Sequence, residues 1–460
     1  MMMTTKRGKT AGRISIFGAV LAAAALASAA LSVETDRRIR RNLSGEAPVI
    51  QTSPEVRDRS GDGARYAENR VLIRFKPGIT IQGAQALLKA YGTAPLERIP
   101  HVGVHIVPIP DGVSVKEFLG ALKRNPDVLY AEPDFSTRLA LTPNDEFFWR
   151  QYALSNTGNN LRGVPGAPTG KRSADIKATA AWEETQGDPD VIIAVLDTGV
   201  DMNHPDLINK LVSRGRDFVN DDNDASDDHW HGTHVAGIAG AETNNTQGIA
   251  GVAWKCPILP VKVVDNKGVG YYSWLIQGII YAVQNGAQVI NISLGGDDVS
   301  DSLRDTLKFA YEENIVIVAA AGNEAGPVLY PAAYTDYALA VAATDSEDQR
   351  TAWSNTGAEV DVAAPGDLIL SLVPTWYFGP QFPPYAYASG TSMAAPHVAG
   401  MAALVRSLKP WLKAGDVMNI IRYSAEDVNA DEHPGRDDHI GYGRINMEKA
   451  IVPLKLKTKF

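Results

Sequence analysis

Val191-Ile192-Ile193-Ala194-Val195-Leu196-Asp197-Thr198-Gly199 opens with six apolar residues in a row, without the alternation of a strand that has one wet face. A short run that stays apolar before a turn reads as a strand buried on both sides, the kind found in parallel sheets covered by helices. Comparable runs recur at residues 258–264, 289–292, 315–320 and 338–343. Helix-patterned stretches stand between them, at 273–285 and 302–313. The fold predicted for the body, residues 142–460, is therefore α/β: a parallel sheet with helices on both faces.

Outward towards the N-terminus the pattern changes. Strand-like residues 71–75, 104–107 and 128–131 alternate with amphipathic helices at 82–91 and 113–124. Together they predict a small α/β sandwich over 69–139, with room for one more strand and too small to be the main catalytic unit. Residues 32–68 are charged and rich in Arg, Ser, Gly and Asp, and read as a flexible linker. Ahead of them, Lys6, Arg7, Lys9 and Arg13 precede an apolar run over 14–31 that ends in Ala27-Ser28-Ala29. That is the layout of a secretory signal peptide, so a secreted product with no stable membrane association after cleavage is expected. An uncleaved anchor is the alternative, at the short edge of a spanning helix.

The 460 residues are 45% hydrophobic and 21% charged, which excludes a wholly disordered chain, a collagen-like repeat or a coiled coil. One cysteine, Cys256, excludes an intramolecular disulfide. The net charge of −9 is unevenly spread: residues 1–141 carry 20 Lys and Arg against 13 Asp and Glu, and residues 142–460 carry 24 against 40. An acidic body argues against nucleic acid as partner, and opposite signs favour attraction between the two parts.

Three motifs carry chemistry. Asp197 ends the run quoted above; His231-Gly232-Thr233-His234 looks like a loop entering a helix; Ser389-Gly390-Thr391-Ser392-Met393-Ala394-Ala395-Pro396-His397 opens an apolar helix running to about Leu408. Singly, an Asp after a strand is a turn residue and a Ser at a helix start is an N-cap. As a set they supply carboxylate, base and nucleophile. In the order Asp, His, Ser these motifs resemble the subtilisin-like serine peptidases, and the likeness covers residues 70–450. It implies that Asp197 orients the base, His231 is general base and acid, and Ser392 is the nucleophile. In Ala319-Ala320-Ala321-Gly322-Asn323-Glu324, Asn323 would supply the oxyanion-hole amide beside the backbone N–H of Ser392. His234 and His397 fall at non-catalytic positions and are expected to be structural.

The resemblance also implies a binding cleft. Gly268, Val269 and Gly270 on one side and Ser293, Leu294 and Gly295 on the other would hold an extended peptide as an added strand. Such main-chain reading suggests a general endopeptidase acting on protein or peptide substrates. Leu329 falls at the bottom of the main specificity pocket and Glu324 near its rim, hinting at mid-sized apolar side chains. Calcium is the implied cofactor. Likeness to thermitase-like members puts a tight site on Asp145, Asp206, Asn245 and the carbonyls of Glu242, Gln247 and Ile249. A second would use Asp217, Asp222 and Asp224 in a run with six Asp between 217 and 228, and Asp345 matches a weaker position. That run is expected to repel itself without a cation. Residues 69–139 resemble the family's propeptide, an intramolecular inhibitor and folding aid, with self-cleavage expected between Phe135 and Pro143. A monomer is expected. One departure is Trp230, directly before His231, where many relatives carry Gly. Two rivals stand: a silent scaffold on the same fold, and an esterase, whose Gly-x-Ser-x-Gly elbow would need Gly where Ala394 stands.

Overall fold

The computed structural model describes residues 66–95, 97–135 and 141–456. The export segment, most of the linker and residues 136–140 of the cleavage window lie outside the described residues. Along the chain the described residues divide into two compact units at Leu141, with residues 452–456, the end of the last helix, grouped with the first.

The first unit runs β1 (Tyr66–Phe75), α1 (Ile81–Ala90), β2 (Glu97–Ile99), β3 (Val104–Pro108), α2 (Val115–Lys123) and β4 (Val128–Phe135). Its strands form an antiparallel sheet in the order β2-β3-β1-β4. Val71, Ile73 and Val107 pack with Leu88, Phe118 and Leu122 of the two helices in one small core. Ser114 and Glu117 close a capping box at the start of α2. β1 begins at Tyr66, inside the stretch read as linker, where Tyr66 pairs with Phe135 and packs edge-on against its ring.

The second unit runs α3 (Ala178–Trp182), β5 (Ile192–Asp197), β6 (Arg216–Asp217), α4 (His231–Gly240), β7 (Ile258–Lys262), α5 (Tyr272–Gln284), β8 (Ala287–Ile292), α6 (Asp301–Glu312), β9 (Val316–Ala320), β10 (Ala338–Thr344), β11 (Val362–Pro365), β12 (Ile369–Leu372), β13 (Tyr385–Ala388), α7 (Thr391–Leu408), α8 (Ala414–Ser424) and α9 (Met447–Leu456). The five expected strands, with β6 and β11 added at the edges, form a seven-stranded parallel sheet, ordered β11-β10-β9-β8-β5-β7-β6. α5 and α6 cover one face with Leu275, Ile279, Leu303 and Leu307; α4 and α7 pack on the other. β12 and β13 form a separate antiparallel hairpin.

Two consequences of the sequence position the site. The chain leaves β5 first towards β6 and β7 on one side, then places β8, β9 and β10 on the other. Such a reversal opens a crevice at the carboxyl ends of the strands around it, where parallel sheets bind ligands. α7, apolar all round, must be buried on all sides, and of its residues those from Met393 to Arg406 are buried. It crosses α4 so closely that a Cβ on Gly400 would lie 3.1 Å from the Ala239 carbonyl oxygen. The first turn of α7 is thus held by the whole core.

Candidate active site

Asp197 is the last residue of β5 and is buried, with His231 standing at the head of α4. Asp197 Oδ1 accepts the Thr198 N–H at 2.8 Å and lies 2.7 Å from His231 Nδ1. Burial pushes the imidazole pKa down, but the Asp197 charge and hydrogen bond, with Asp227 behind, outweigh it and hold the pKa above the usual 6.5. With Nδ1 so engaged, Nε2 is the nitrogen left for a substrate.

Ser392 sits in the first turn of α7. Pro396, four residues on, has no N–H to give the Ser392 carbonyl. Ser293 Oγ takes that acceptor instead at 2.9 Å, while Ser392 Oγ donates to the Ser293 carbonyl at 2.9 Å. A helix proline therefore ties the Ser392 segment to the end of β8. Asn291 Nδ2 steadies Ser293 Oγ from the buried side at 2.9 Å.

Asn323 follows β9 by three residues. Its Oδ1 accepts both the Thr391 N–H (2.8 Å) and the Thr391 hydroxyl (3.0 Å). A backbone N–H can only donate, so the oxygen is the atom fixed there and Nδ2 is the donor turned outward. A Cβ built on Gly390 would be 3.6 Å from both Asn323 Nδ2 and Ser392 N, so the two donors flank one edge. Two aligned donors beside a serine can stabilise an oxyanion.

A cleft of about 290 Å³ is lined by Asp197, His229, His231, Gly268, Gly270, Ser293, Leu294 and Gly295 among others. Val269, between the two lining glycines, is exposed. Gly295 and Gly322 press on Leu329: a Cβ on either would come within 2.9 Å of its side chain. The expected binding residues are thus gathered at one edge, with Glu324 accepting the Asn323 N–H beside them.

The Subtilase family profile matches residues 188–443, which include Asp197, His231, Asn323 and Ser392. The chain belongs to the subtilase family. A second profile, the Fervidolysin N-terminal prodomain, matches residues 52–134. The chain is 38% identical over 394 residues to the thermophilic serine proteinase of Bacillus sp. (strain AK1), covering 85% of this chain and 90% of that protein. It is 42% identical over 312 residues to thermitase of Thermoactinomyces vulgaris, covering 67% of this chain and 99% of that one. Among solved structures, a protease from Pseudoalteromonas arctica PAMC 21717 superposes with a TM-score of 0.57 at 30% identity, covering 68% of this chain and all of that one. This subtilase is a serine endopeptidase that carries an N-terminal prodomain.

Several supports of the subtilase site escaped the sequence reading. Asp227, counted above only as part of an acidic run, is buried beneath the head of α4. It accepts from Thr198 Oγ1, the N–H groups of His229 and Trp230, and both N–H and Oγ1 of Thr233. Lys262, at the end of β7 and paired in register with Asp197, is buried too. Its three ammonium donors go to the Thr198 carbonyl (2.7 Å), the Val264 carbonyl (2.9 Å) and Asp228 Oδ1 (2.6 Å). An isolated Lys in an apolar strand gives no sign of such a use. His234 and His397 are buried, hydrogen-bonded to the carbonyls of Ala386 and Met393, and burial pushes their pKa values down to about 3 and about 4. Both rings are neutral struts.

Trp230 holds φ at +139°, a conformation that favours glycine. Keeping a bulky residue there costs on the order of 1–3 kcal/mol. Its ring stacks on His229 (5.5 Å between centroids) and packs edge-on against His231 (5.6 Å).

The two expected calcium sites fare differently. Asp145 and Asp206 are buried, and the 242–249 loop curls around them. Asn244 donates its N–H to Asp145; Asn245 Nδ2 and the Ile249 N–H donate to Asp206. A Cβ on Gly248 would fall 1.9 Å from Asp206 Oδ2. Burial, with Asp206 adding to it, pushes the Asp145 pKa up to about 6 against the pull of those hydrogen bonds. Two buried carboxylates beside an amide side chain supply hard oxygen donors of the kind Ca²⁺ takes. Asp217, Asp222 and Asp224 do not converge: among the described residues, no three carboxylate or imidazole groups gather for a metal. Asp217 is turned inward onto the N–H groups of Val219 and Asn220, and Asp222 accepts the Asp224 N–H. Arg214 pairs with Asp224, Arg216 with Asp221 and Lys262 with Asp228. Three of the six carboxylates in the run are thus paired with nearby cations. Asp345 accepts the N–H groups of Glu347 and Gln349 in a tight turn.

Proposed function

We propose that this subtilase hydrolyses peptide bonds with Ser392 as nucleophile, His231 as base and then acid, and Asp197 as the group that fixes His231. The observation that carries this is a cleft lined by Asp197, His231 and Ser293, with Ser392 hydrogen-bonded to Ser293, His231 Nδ1 2.7 Å from Asp197 Oδ1 and the Asn323 amide oriented by Thr391. Ser392 Oγ leaves its bond to the Ser293 carbonyl, gives its proton to His231 Nε2 and attacks the scissile carbonyl. Asn323 Nδ2 and the Ser392 N–H receive the oxyanion. His231 returns the proton to the departing amine, and water then repeats the sequence on the ester. Substrate lies along Gly268–Gly270 and Ser293–Gly295 through its main chain, so cleavage is broad, with an apolar residue favoured against Leu329. A serine-directed fluorophosphonate is expected to add once, on Ser392, and to stop casein hydrolysis. Labelling elsewhere, or hydrolysis that survives full labelling, would count against these roles.

Asn323→Leu removes one oxyanion donor. The expected result is a fall in kcat of about 10²–10³ with KM little changed, the size of loss that subtilisin shows for its own oxyanion amide. A KM effect with kcat intact would reassign Asn323 to ground-state binding.

The same reading takes the protein as exported through residues 1–31 and as freeing itself of residues 69–139 by a cut between Phe135 and Pro143. Asp145, Asp206, Asn245 and the carbonyls of Glu242, Gln247 and Ile249 would hold one calcium ion, which supplies positive charge between two buried carboxylates. Chelation is expected to lower stability by about 2.7 kcal/mol relative to calcium at 100 times its Kd, roughly 4 °C in Tm for a unit of this length. Differential scanning calorimetry of wild type and Asp206→Asn with and without EDTA checks this; an unchanged wild-type Tm would remove the ion from the account.

A further inference from the structure

We infer that Trp230 and Tyr377 form a binding site for an aromatic or large apolar side chain on the first residue after the scissile bond. The inference rests on the catalytic roles proposed above. The acyl half of a substrate belongs in the cleft walled by Gly268, Gly270 and Ser293–Gly295, and neither Trp230 nor Tyr377 lines that cleft. The leaving nitrogen must come within hydrogen-bond reach of His231 Nε2, about 2.6–3.2 Å, to collect its proton. Its residue therefore lies beside the imidazole on the side that the acyl chain leaves free, and there the neighbours of His231 are aromatic. The Trp230 ring packs edge-on against His231 at 5.6 Å and meets Tyr377 at 6.4 Å; Tyr377 meets Phe378 at 4.9 Å.

Tyr377 and Phe378 are each 42% exposed, which leaves apolar ring surface open next to the base. The loop that carries them, between β12 and β13, is pinned at its root. The Thr375 N–H and hydroxyl both donate to Asp201 Oδ2, at 2.7 and 2.8 Å, and Val373 N–H donates to the Pro384 carbonyl. The wall is therefore preformed. The backbone gives an independent reason: the largest side chain stands at +139°, where glycine would fit without strain. Strain retained beside a reacting group points to a use for the ring.

Acyl transfer tests the site directly. The full chain, after maturing, is given a peptide ester and equal concentrations of phenylalaninamide and glycinamide. The acyl-enzyme then partitions between them: the amine nitrogen forms the new amide bond, the Ser392 Oγ–carbonyl bond breaks, and the amine's proton passes through His231 to Oγ. In wild type the phenylalaninamide product is expected in about 3- to 10-fold excess, the range of one aromatic contact. Trp230→Gly, which relaxes the backbone, and Tyr377→Ala should each bring that ratio towards one. Ester hydrolysis with an unchanged ratio in both variants would overturn the inference and leave the catalytic reading standing. No ester hydrolysis by wild type would overturn both.

Discussion

Ser392→Ala is expected to leave the chain uncut between Phe135 and Pro143 and to lower peptidase turnover by about 10⁶, the scale of the loss when subtilisin is deprived of its serine. The variant should still fold, because Ser392 Oγ contributes one hydrogen bond, to the Ser293 carbonyl, and one such bond is worth about 1 kcal/mol. The link to Ser293 Oγ through the Ser392 carbonyl survives the change. Intact mass and casein hydrolysis on wild type and variant decide the point. Normal maturation of Ser392→Ala, made in a host without other peptidases, would sink self-processing. A wild type that folds, stays uncut and cuts nothing would revive the silent scaffold.

Asp197→Asn should cost about 10⁴ in kcat, since an amide at that place selects the wrong imidazole tautomer. It should also move the acid limb of the pH profile. In wild type, kcat/KM rises as His231 loses its proton, with a midpoint above 6.5, because the Asp197 charge and hydrogen bond outweigh the effect of burial. Without that charge burial is less opposed, the imidazolium is disfavoured and the midpoint falls. A profile that drops in height without moving would mean that Asp197 sets geometry and not charge.

The sheet was legible because its strands are unbroken apolar runs, and both faces of such strands must be covered. Asp197, His231 and Ser392 were legible because each stands at the end of one element, where a short motif is local. What was hidden depends on neighbours far apart in the chain. β2 has three exposed side chains and no pattern to read. The acidic run looked self-repelling, since nothing in the order of residues says that Arg214 and Arg216 turn back onto Asp224 and Asp221. Asp227 and Lys262 were invisible as supports for the same reason. Trp230 stands out in the sequence as a departure, but its φ, and hence its strain, is a property of the folded loop.

The order of strands has a consequence for the protein's lifetime. Asp197, His231, Asn323 and Ser392 come from four separate segments whose first and last members are joined only through the finished sheet and the helix packed on it. No contiguous fragment holds a working subset. An endopeptidase meets other copies of itself, and a molecule opened far enough to be cut has already lost the crevice that does the cutting. Self-digestion should therefore fade as it proceeds, because each event removes one attacker and releases none.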